Sequence, residues 1–221
     1  MLSLEHDGIV LCGKRKRGKT TLCKALYRNE KRVVLYDAKG ALHEPLEIPC
    51  GWIPTEVLTN KRGILRCYVP RTNKPWDELE WSAYIAILAG RCVWVCDEFA
   101  DALEGGDPGE SVKWVIRMGR EKDIRFIASF QRPNEVPRMV TAQASDIYYF
   151  QTNERNDLQY IQESASMEAM LIVRGLKTGQ SLRVKDGEIH SIVCTVSPDK
   201  PSERSVIPAD LEQPMTMDPS E

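Results

Sequence analysis

The chain of 221 residues reads as an α/β fold, one three-layer domain built on a central, mostly parallel β-sheet. Three observations predict it. Short apolar runs alternate with helical patterns from Gly8 to Phe150. The run Cys92-Val93-Trp94-Val95-Cys96 is unbroken, as in a parallel strand covered on both faces. The first apolar run passes directly into a glycine-bounded loop and then a helical pattern, a strand–turn–helix unit.

Taken in order, Gly8 to Cys12 is the first strand, and it feeds LCGKRKRGKT, Leu11 to Thr20. This matches G-x-x-x-x-G-K-[ST] through Gly13, Gly18, Lys19 and Thr20. In that setting the loop is a phosphate cradle. Backbone N–H groups face the β-phosphate, and the first helical turn adds its positive end. Lys19 reaches the β/γ oxygens and the Thr20 hydroxyl coordinates Mg²⁺. The nucleotide-binding set is therefore Gly13, Lys14, Arg15, Lys16, Arg17, Gly18, Lys19, Thr20 and Thr21. Four consecutive cations inside the loop strengthen anion attraction and could equally face a second polyanion. With no apolar anchor of its own, the loop is expected to be held by its ends.

A helix is predicted from Lys19 to about Asn29, then a strand over Arg32 to Tyr36 ending at Asp37. Asp37 either touches nucleotide or Mg²⁺-bound water, or caps the turn Asp-Ala-Lys-Gly. Residues 38–62 are irregular, with Pro45, Pro49 and Pro54. Gly63 to Val69 reads as a strand closed by Pro70. Pro75 opens a helix from Trp76 to about Ala89, with Leu79, Ala83 and Ile87 on its apolar face and Trp76 and Trp81 as packing residues. The Cys92–Cys96 strand ends in Asp97-Glu98. Asp97 is placed to hold Mg²⁺ through water, and Glu98 to orient and polarise an attacking water.

Residues 101–109 are a turn-rich linker. Glu110 to Arg120 reads as a helix with Val112, Val115 and Ile116 on one face and Lys113, Arg117 and Arg120 on the other. The strand Ile124 to Phe130 ends in Gln131-Arg132-Pro133. If it neighbours the Asp97 strand, Gln131 lies beside the γ-phosphate and can relay its presence to a helix that opens at Pro133 and carries Val136 and Val140. Asp146 to Phe150 is another sheet strand. Two helical patches follow, Leu158/Ile161 and Met167/Met170/Leu171. Asp186-Gly187 then turns a hairpin within residues 180–196. One domain, residues 1–196, is expected, followed by an acidic, proline-containing tail, 197–221, read as disordered or extended.

The formal net charge is −2, but residues 1–32 hold nine Lys/Arg against three acids and residues 186–221 hold two against eight. Positive potential therefore gathers at the nucleotide end. Seven cysteines with no C-x-x-C argue against a zinc site or a disulfide framework, and for reduced thiols in a cytosolic compartment. No apolar run has the length of a membrane span and no signal peptide precedes Ile9. The residues assigned to catalysis are Lys19, Glu98, Gln131 and Arg120. No arginine aims at the site in cis, so Arg120 is read as reaching a neighbour's nucleotide, with Arg132 and Arg138 as rivals.

The set Gly13–Thr20, Cys92–Glu98 and Ile124–Pro133 resembles the FtsK/HerA-type P-loop ATPases, and Ser129-Phe130-Gln131-Arg132-Pro133 is similar to their signature after the fourth strand. The resemblance covers about residues 8–150 and is strongest to the genome-packaging ATPases of membrane-containing icosahedral viruses. It implies a RecA/FtsK-like fold. It implies ATP and Mg²⁺ held by Lys19, Thr20 and Asp97, Glu98 as catalytic base, Gln131 as γ-phosphate sensor and Arg120 as trans finger. It implies a pentameric or hexameric homo-oligomeric ring that moves double-stranded DNA, acts in the host cytoplasm during assembly or at the virion vertex, and meets a capsid vertex or portal protein. Two departures are the more basic loop Lys14–Arg17 and the lack of a winged-helix domain or membrane anchor. Lys39, Lys61, Arg62, Arg71 and Lys74 are candidate DNA-backbone contacts without base specificity. The alternatives are a small-molecule P-loop kinase and a cellular or conjugative DNA-pumping ATPase.

Overall fold

The computed structural model describes residues 8–40, 42, 44–60, 62–103 and 107–195, and the backbone of 202–205. The strands are β1 (Gly8–Cys12), β2 (Arg32–Asp37), β3 (Leu46–Glu47), β4 (Leu65–Pro70), β5 (Cys92–Cys96), β6 (Ile124–Phe130), β7 (Asp146–Phe150), β8 (Gln180–Lys185), β9 (Glu188–Cys194) and β10 (Ser202–Ser205). The helices are α1 (Lys19–Tyr27), α2 (Thr55–Thr59), α3 (Pro75–Ala89), α4 (Glu110–Met118), α5 (Arg138–Thr141), α6 (Arg155–Ser164) and α7 (Met167–Gly175).

All described strands join one sheet in the order β10-β9-β8-β7-β1-β6-β5-β2-β4-β3. From β7 to β3 every pairing is parallel, and β8, β9 and β10 add on antiparallel. The fold is thus a three-layer P-loop NTPase fold with a C-terminal hairpin, as the sequence predicts. The hairpin gains a third strand, β10, from a segment that reads only as tail. The rest of that tail lies outside the described residues.

Alternation along the central strands assigns each side chain to a layer. Ile9 and Leu11 of β1 pack with Leu22, Cys23 and Leu26 of α1. Val10 and Cys12 face the other way, into the cluster that holds Leu79, Ala83 and Ala86 of α3 and Val112, Val115 and Ile116 of α4. Because helices cover both faces, β1, β2 and β5 are buried along their whole length, which is why they read as unbroken apolar runs. Helix α3 is buried more widely than its predicted face: Ser82, Ile85 and Ala89 are covered as well, and Ile87 is only half-buried. The Ser82 hydroxyl accepts the indole N–H of fully buried Trp94 at 3.0 Å, which satisfies the one polar atom of that ring. Trp76 and Trp81 are half-buried, in keeping with a packing role.

One predicted helix breaks in two. Pro133 opens only a 3₁₀ turn, Pro133–Glu135, and α5 begins separately at Arg138. The cause is Pro137, which forces Val136 into an extended conformation, φ −72° and ψ 120°. The cysteines are all free thiols, with Cys12, Cys23, Cys67, Cys92 and Cys96 buried and Cys50 exposed.

The amino edge of the sheet is pinned by one side chain. Arg32, 7% exposed at the start of β2, donates to four backbone carbonyls. These are Asn60 at 2.5 Å and Gly63 at 3.2 Å from the loop before β4, and Ala89 at 3.1 Å and Gly90 at 3.3 Å from the end of α3. A planar guanidinium can serve all four at once, and an ammonium cannot. Arg32→Met should lower the unfolding free energy by about 2–4 kcal/mol in urea titration, since it strands several carbonyls. Arg32→Lys should recover only part of that loss.

Candidate functional site: a phosphate cradle at the carboxyl edge of the sheet

The site begins with strand order. β6 lies between β1 and β5, so the loop leaving β1, the Asp97-Glu98 pair leaving β5 and Gln131 leaving β6 emerge side by side at the carboxyl edge. Ligands in open parallel sheets bind at this edge. The neighbouring of β5 and β6, on which the reading of Gln131 depends, is therefore present. Gln131 is half-buried there.

The Gly13 N–H donates to Phe130 O at 3.1 Å, carrying the β1–β6 ladder one residue into the loop. A Cβ at Gly13 would stand 2.5 Å from Cβ of Phe150 on β7, so the chain can pass only as glycine. Lys16, φ 62°, and Gly18, φ 107°, take left-handed conformations that curl the loop, and Gly18 is the N-cap of α1. Lys14, Arg15 and Lys16 are exposed, Thr20 and Thr21 are half-buried, and Lys19 is 6% exposed. The Lys19 ammonium donates to its own loop, to Gly13 O and to Lys14 O, the latter at 3.1 Å. Burial lowers its pKa, an effect that the nearby Glu98 opposes and Lys39 reinforces.

The loop is not held by its ends alone. Lys14 pairs with Glu154, just before α6, at 2.9 Å. The Arg17 guanidinium donates to the Thr178 hydroxyl at 2.9 Å, and Gly179 N–H donates to Arg17 O at 3.1 Å. Thr178, Gly179 and Thr195 line the same cleft of about 680 Å³ as Lys14–Lys16, Gly18–Thr21, Lys39 and Glu98. The turn before β8 and the end of β9 thus form a wall that the sequence reading assigned to an add-on.

Opposite the loop, Asp97 and Glu98 are each 2% exposed. Ser129 of β6 joins them: its hydroxyl donates to Asp97 Oδ1 at 2.8 Å and accepts the Glu98 N–H at 3.0 Å. Glu98 sits at φ 54° and ψ 54°, a left-handed conformation that costs a non-glycine residue of order 1 kcal/mol and turns its side chain out of the strand's alternation. Asp97 Oδ2 is buried without a hydrogen-bond partner. Burial raises the Asp97 pKa; the Ser129 hydrogen bond opposes the shift and the Glu98 charge adds to it. An uncompensated buried carboxylate oxygen beside a threonine-tipped phosphate loop is a donor set that fits Mg²⁺. Among the described residues no cluster of three or more His, Cys, Asp or Glu could hold a metal by itself.

Other predicted residues fall into place or out of it. The Asp37 carboxylate accepts the Leu42 N–H at 3.1 Å, the turn-capping alternative. Lys39, read as a DNA contact, is ion-paired with Glu98 inside the cleft. Arg71 donates to Ala38 O at 3.2 Å and Lys74 pairs with Asp77 at 3.7 Å, while Lys61 lies outside the described residues. Arg132 reaches the buried Asp157 of α6 at 3.4 Å, and Arg138 is exposed on α5. Arg120 lies in a 3₁₀ turn, Gly119–Lys122, that precedes β6 and so occupies the amino edge. There it shares a cavity of about 670 Å³ with Arg62, Arg91 and Lys122. Its own cradle is a strand length away, about 20 Å.

Sheet, loop and paired carboxylates define the P-loop nucleoside triphosphatase fold. No protein-family profile and no curated protein sequence matches the chain. Among solved structures it is similar to the genome packaging NTPase B204 from Sulfolobus turreted icosahedral virus 2 in complex with AMPPCP. The TM-score is 0.64 at 20% identity, over 91% of this chain and 98% of that one. The same protein in complex with sulfate gives 0.65 at 20% identity, over 91% and 97%. VirB4 of Thermoanaerobacter pseudethanolicus gives 0.59 at 9% identity, over 94% and 91%. The fold likeness to B204 agrees with the FtsK/HerA-type resemblance read from the sequence.

Gly13→Ala should abolish nucleotide binding in an equilibrium titration, and Phe150→Ala should not rescue it, because alanine keeps the clashing Cβ. Asp97→Asn should raise the melting temperature at pH 7 without Mg²⁺. A carboxyl with a raised folded pKa destabilises the fold when ionised, so the gain should shrink as pH falls and wild-type Asp97 takes up its proton.

Proposed function

We propose that this chain is an Mg²⁺-dependent ATPase that works as a ring motor on double-stranded DNA, in the packaging of a viral genome into a preformed capsid. The observation that carries the reading is the meeting, at one sheet edge, of the Gly13–Thr20 loop with Asp97 and Glu98, two acids that Ser129 joins to each other, on a fold like that of B204.

The residues divide the chemistry as follows. The loop N–H groups and Lys19 bind the phosphates of ATP. Thr20 and Asp97 would hold Mg²⁺, which would supply charge neutralisation to the phosphates. Glu98 orients the attacking water, and Ser129 fixes the backbone from which Glu98 projects. Gln131, which leaves the strand beside that of Asp97, is assigned the sensing of the γ-phosphate. Arg120 lies at the sheet edge opposite its own cradle, so its assigned role is in trans, at a neighbour's nucleotide in a ring. Arg62, Arg91 and Lys122 beside it outnumber Glu121 and Asp123 at that edge, and Arg71 and Lys74 lie toward the other. DNA contact through such groups is to the backbone and weakens with salt. The site of action is the host cytoplasm during assembly, at a capsid vertex or portal. No described helix is long and apolar enough to cross a membrane.

ATP hydrolysis should rise several-fold with linear duplex DNA and lose that stimulation as salt increases. Glu98→Gln should cut turnover about 10²–10⁴-fold while leaving ATP bound. A kinetic assay that finds no DNA stimulation, beside a mass measurement that finds only monomer, would remove the motor reading. Arg120→Ala and Lys19→Ala should each be inactive, and mixing them should restore hydrolysis. A mixture that stays inactive sinks the shared site.

A further inference from the structure

The turn that follows β2 carries Lys39 into the cleft, where its ammonium is ion-paired with Glu98 Oε1. The two halves of the pair are held very differently. The Glu98 side chain is 3% exposed, on a backbone fixed by the Ser129 hydroxyl in a left-handed conformation. The Lys39 side chain is 33% exposed, on a flexible four-carbon stem from a surface turn. The lysine is therefore the half that can move.

Its surroundings say where it can go. Lys14, Arg15 and Lys16 line the cleft from the loop's exposed side, and Lys19, the buried cation of the loop, is engaged with loop carbonyls. Lys39 and Lys19 carry like charge within one cleft and repel each other. Both share the cleft with Glu98 and the loop. A triphosphate seated in the loop brings its terminal phosphate toward the carboxylate end of this cleft. Its charge exceeds that of the single carboxylate Lys39 now faces, and it repels Glu98 unless a cation stands between them. A diphosphate ends one phosphate short and leaves the Lys39–Glu98 pair undisturbed.

We propose that Lys39 exchanges partners: it occupies Glu98 in the empty or diphosphate-bound cleft and turns to the terminal phosphate of a bound triphosphate, freeing the Glu98 carboxylate for water. Lys39 is then the residue through which the cleft distinguishes triphosphate from diphosphate. No bond is made or broken in the exchange. The inference rests on the ATPase reading above.

The test is equilibrium binding of ATPγS and of ADP, each with Mg²⁺, to the full chain with Lys39→Met, Lys39→Gln and Lys39→Arg. Circular dichroism confirms the fold of each variant. Loss of the cation in Lys39→Met and Lys39→Gln should weaken ATPγS about tenfold or more and leave ADP within about twofold, and Lys39→Arg should restore discrimination. Equal weakening of both nucleotides, or an unchanged ratio, overturns the exchange and leaves the ATPase reading standing. A wild-type chain that binds neither nucleotide removes the ATPase reading, and this inference with it.

Discussion

A single serine hydroxyl organises the reactive half of this site. Ser129 lies at the carboxyl end of β6, and through one oxygen it binds both Asp97, as donor, and the Glu98 backbone, as acceptor. Two adjacent acids at the end of a buried strand would repel each other and seek water. The hydroxyl gives Asp97 one hydrogen bond and fixes Glu98 in a conformation that points its carboxylate elsewhere. What is left over is Asp97 Oδ2, buried without a hydrogen-bond partner, and a Glu98 carboxylate paired with Lys39. The fold carries an electrostatic cost here that a bound cation would relieve, as would a proton on Asp97, and a carboxylate perturbed in this way marks a site more often than packing.

The loop side is built on the opposite principle. It is rich in cations, and its geometry is secured from outside. Phe150 leaves no room beside Gly13, Glu154 takes Lys14, and the Thr178-Gly179 turn takes Arg17 by side chain and backbone. These three braces come from β7, the start of α6 and the turn into β8. The antiparallel extension of the sheet is therefore part of the nucleotide cleft, and a change in the seating of that hairpin would be felt by the phosphate loop directly. The basic loop interior, Lys14–Arg17, is compatible with this bracing because Lys14, Arg15 and Lys16 stay exposed to water.

The two sheet edges carry different charge. At the carboxyl edge, cations face carboxylates within the cleft. At the amino edge, Arg62, Arg91, Arg120 and Lys122 gather around a second cavity with Glu121 and Asp123 among them, an excess of two positive charges, while Arg32 is buried against carbonyls and takes no part in surface charge. A head-to-tail assembly would bring one edge to the other, the arrangement in which an arginine far from its own cradle becomes useful.

Much of this was legible in the residues, because local patterns carry local structure. The G-x-x-x-x-G-K-[ST] loop, the apolar strand closing in Asp97-Glu98, the strand before Gln131 and the Asp186-Gly187 hairpin each encode their own backbone, and each formed near its predicted bounds. Pro137, which splits one predicted helix, stands between Val136 and Val140, whose apolar spacing by itself predicts a single helix. What the pattern could not contain was partnership at a distance. Lys39 meets Glu98 across 59 positions, Lys14 meets Glu154 across 140 and Arg17 meets Thr178 across 161. The sequence by itself determined the sheet's strands, their buried faces and the chemistry at their ends. Only the tertiary structure decided which ends meet, because strand order follows from how crossovers pack helices onto the two faces, and no periodicity along the chain records that order.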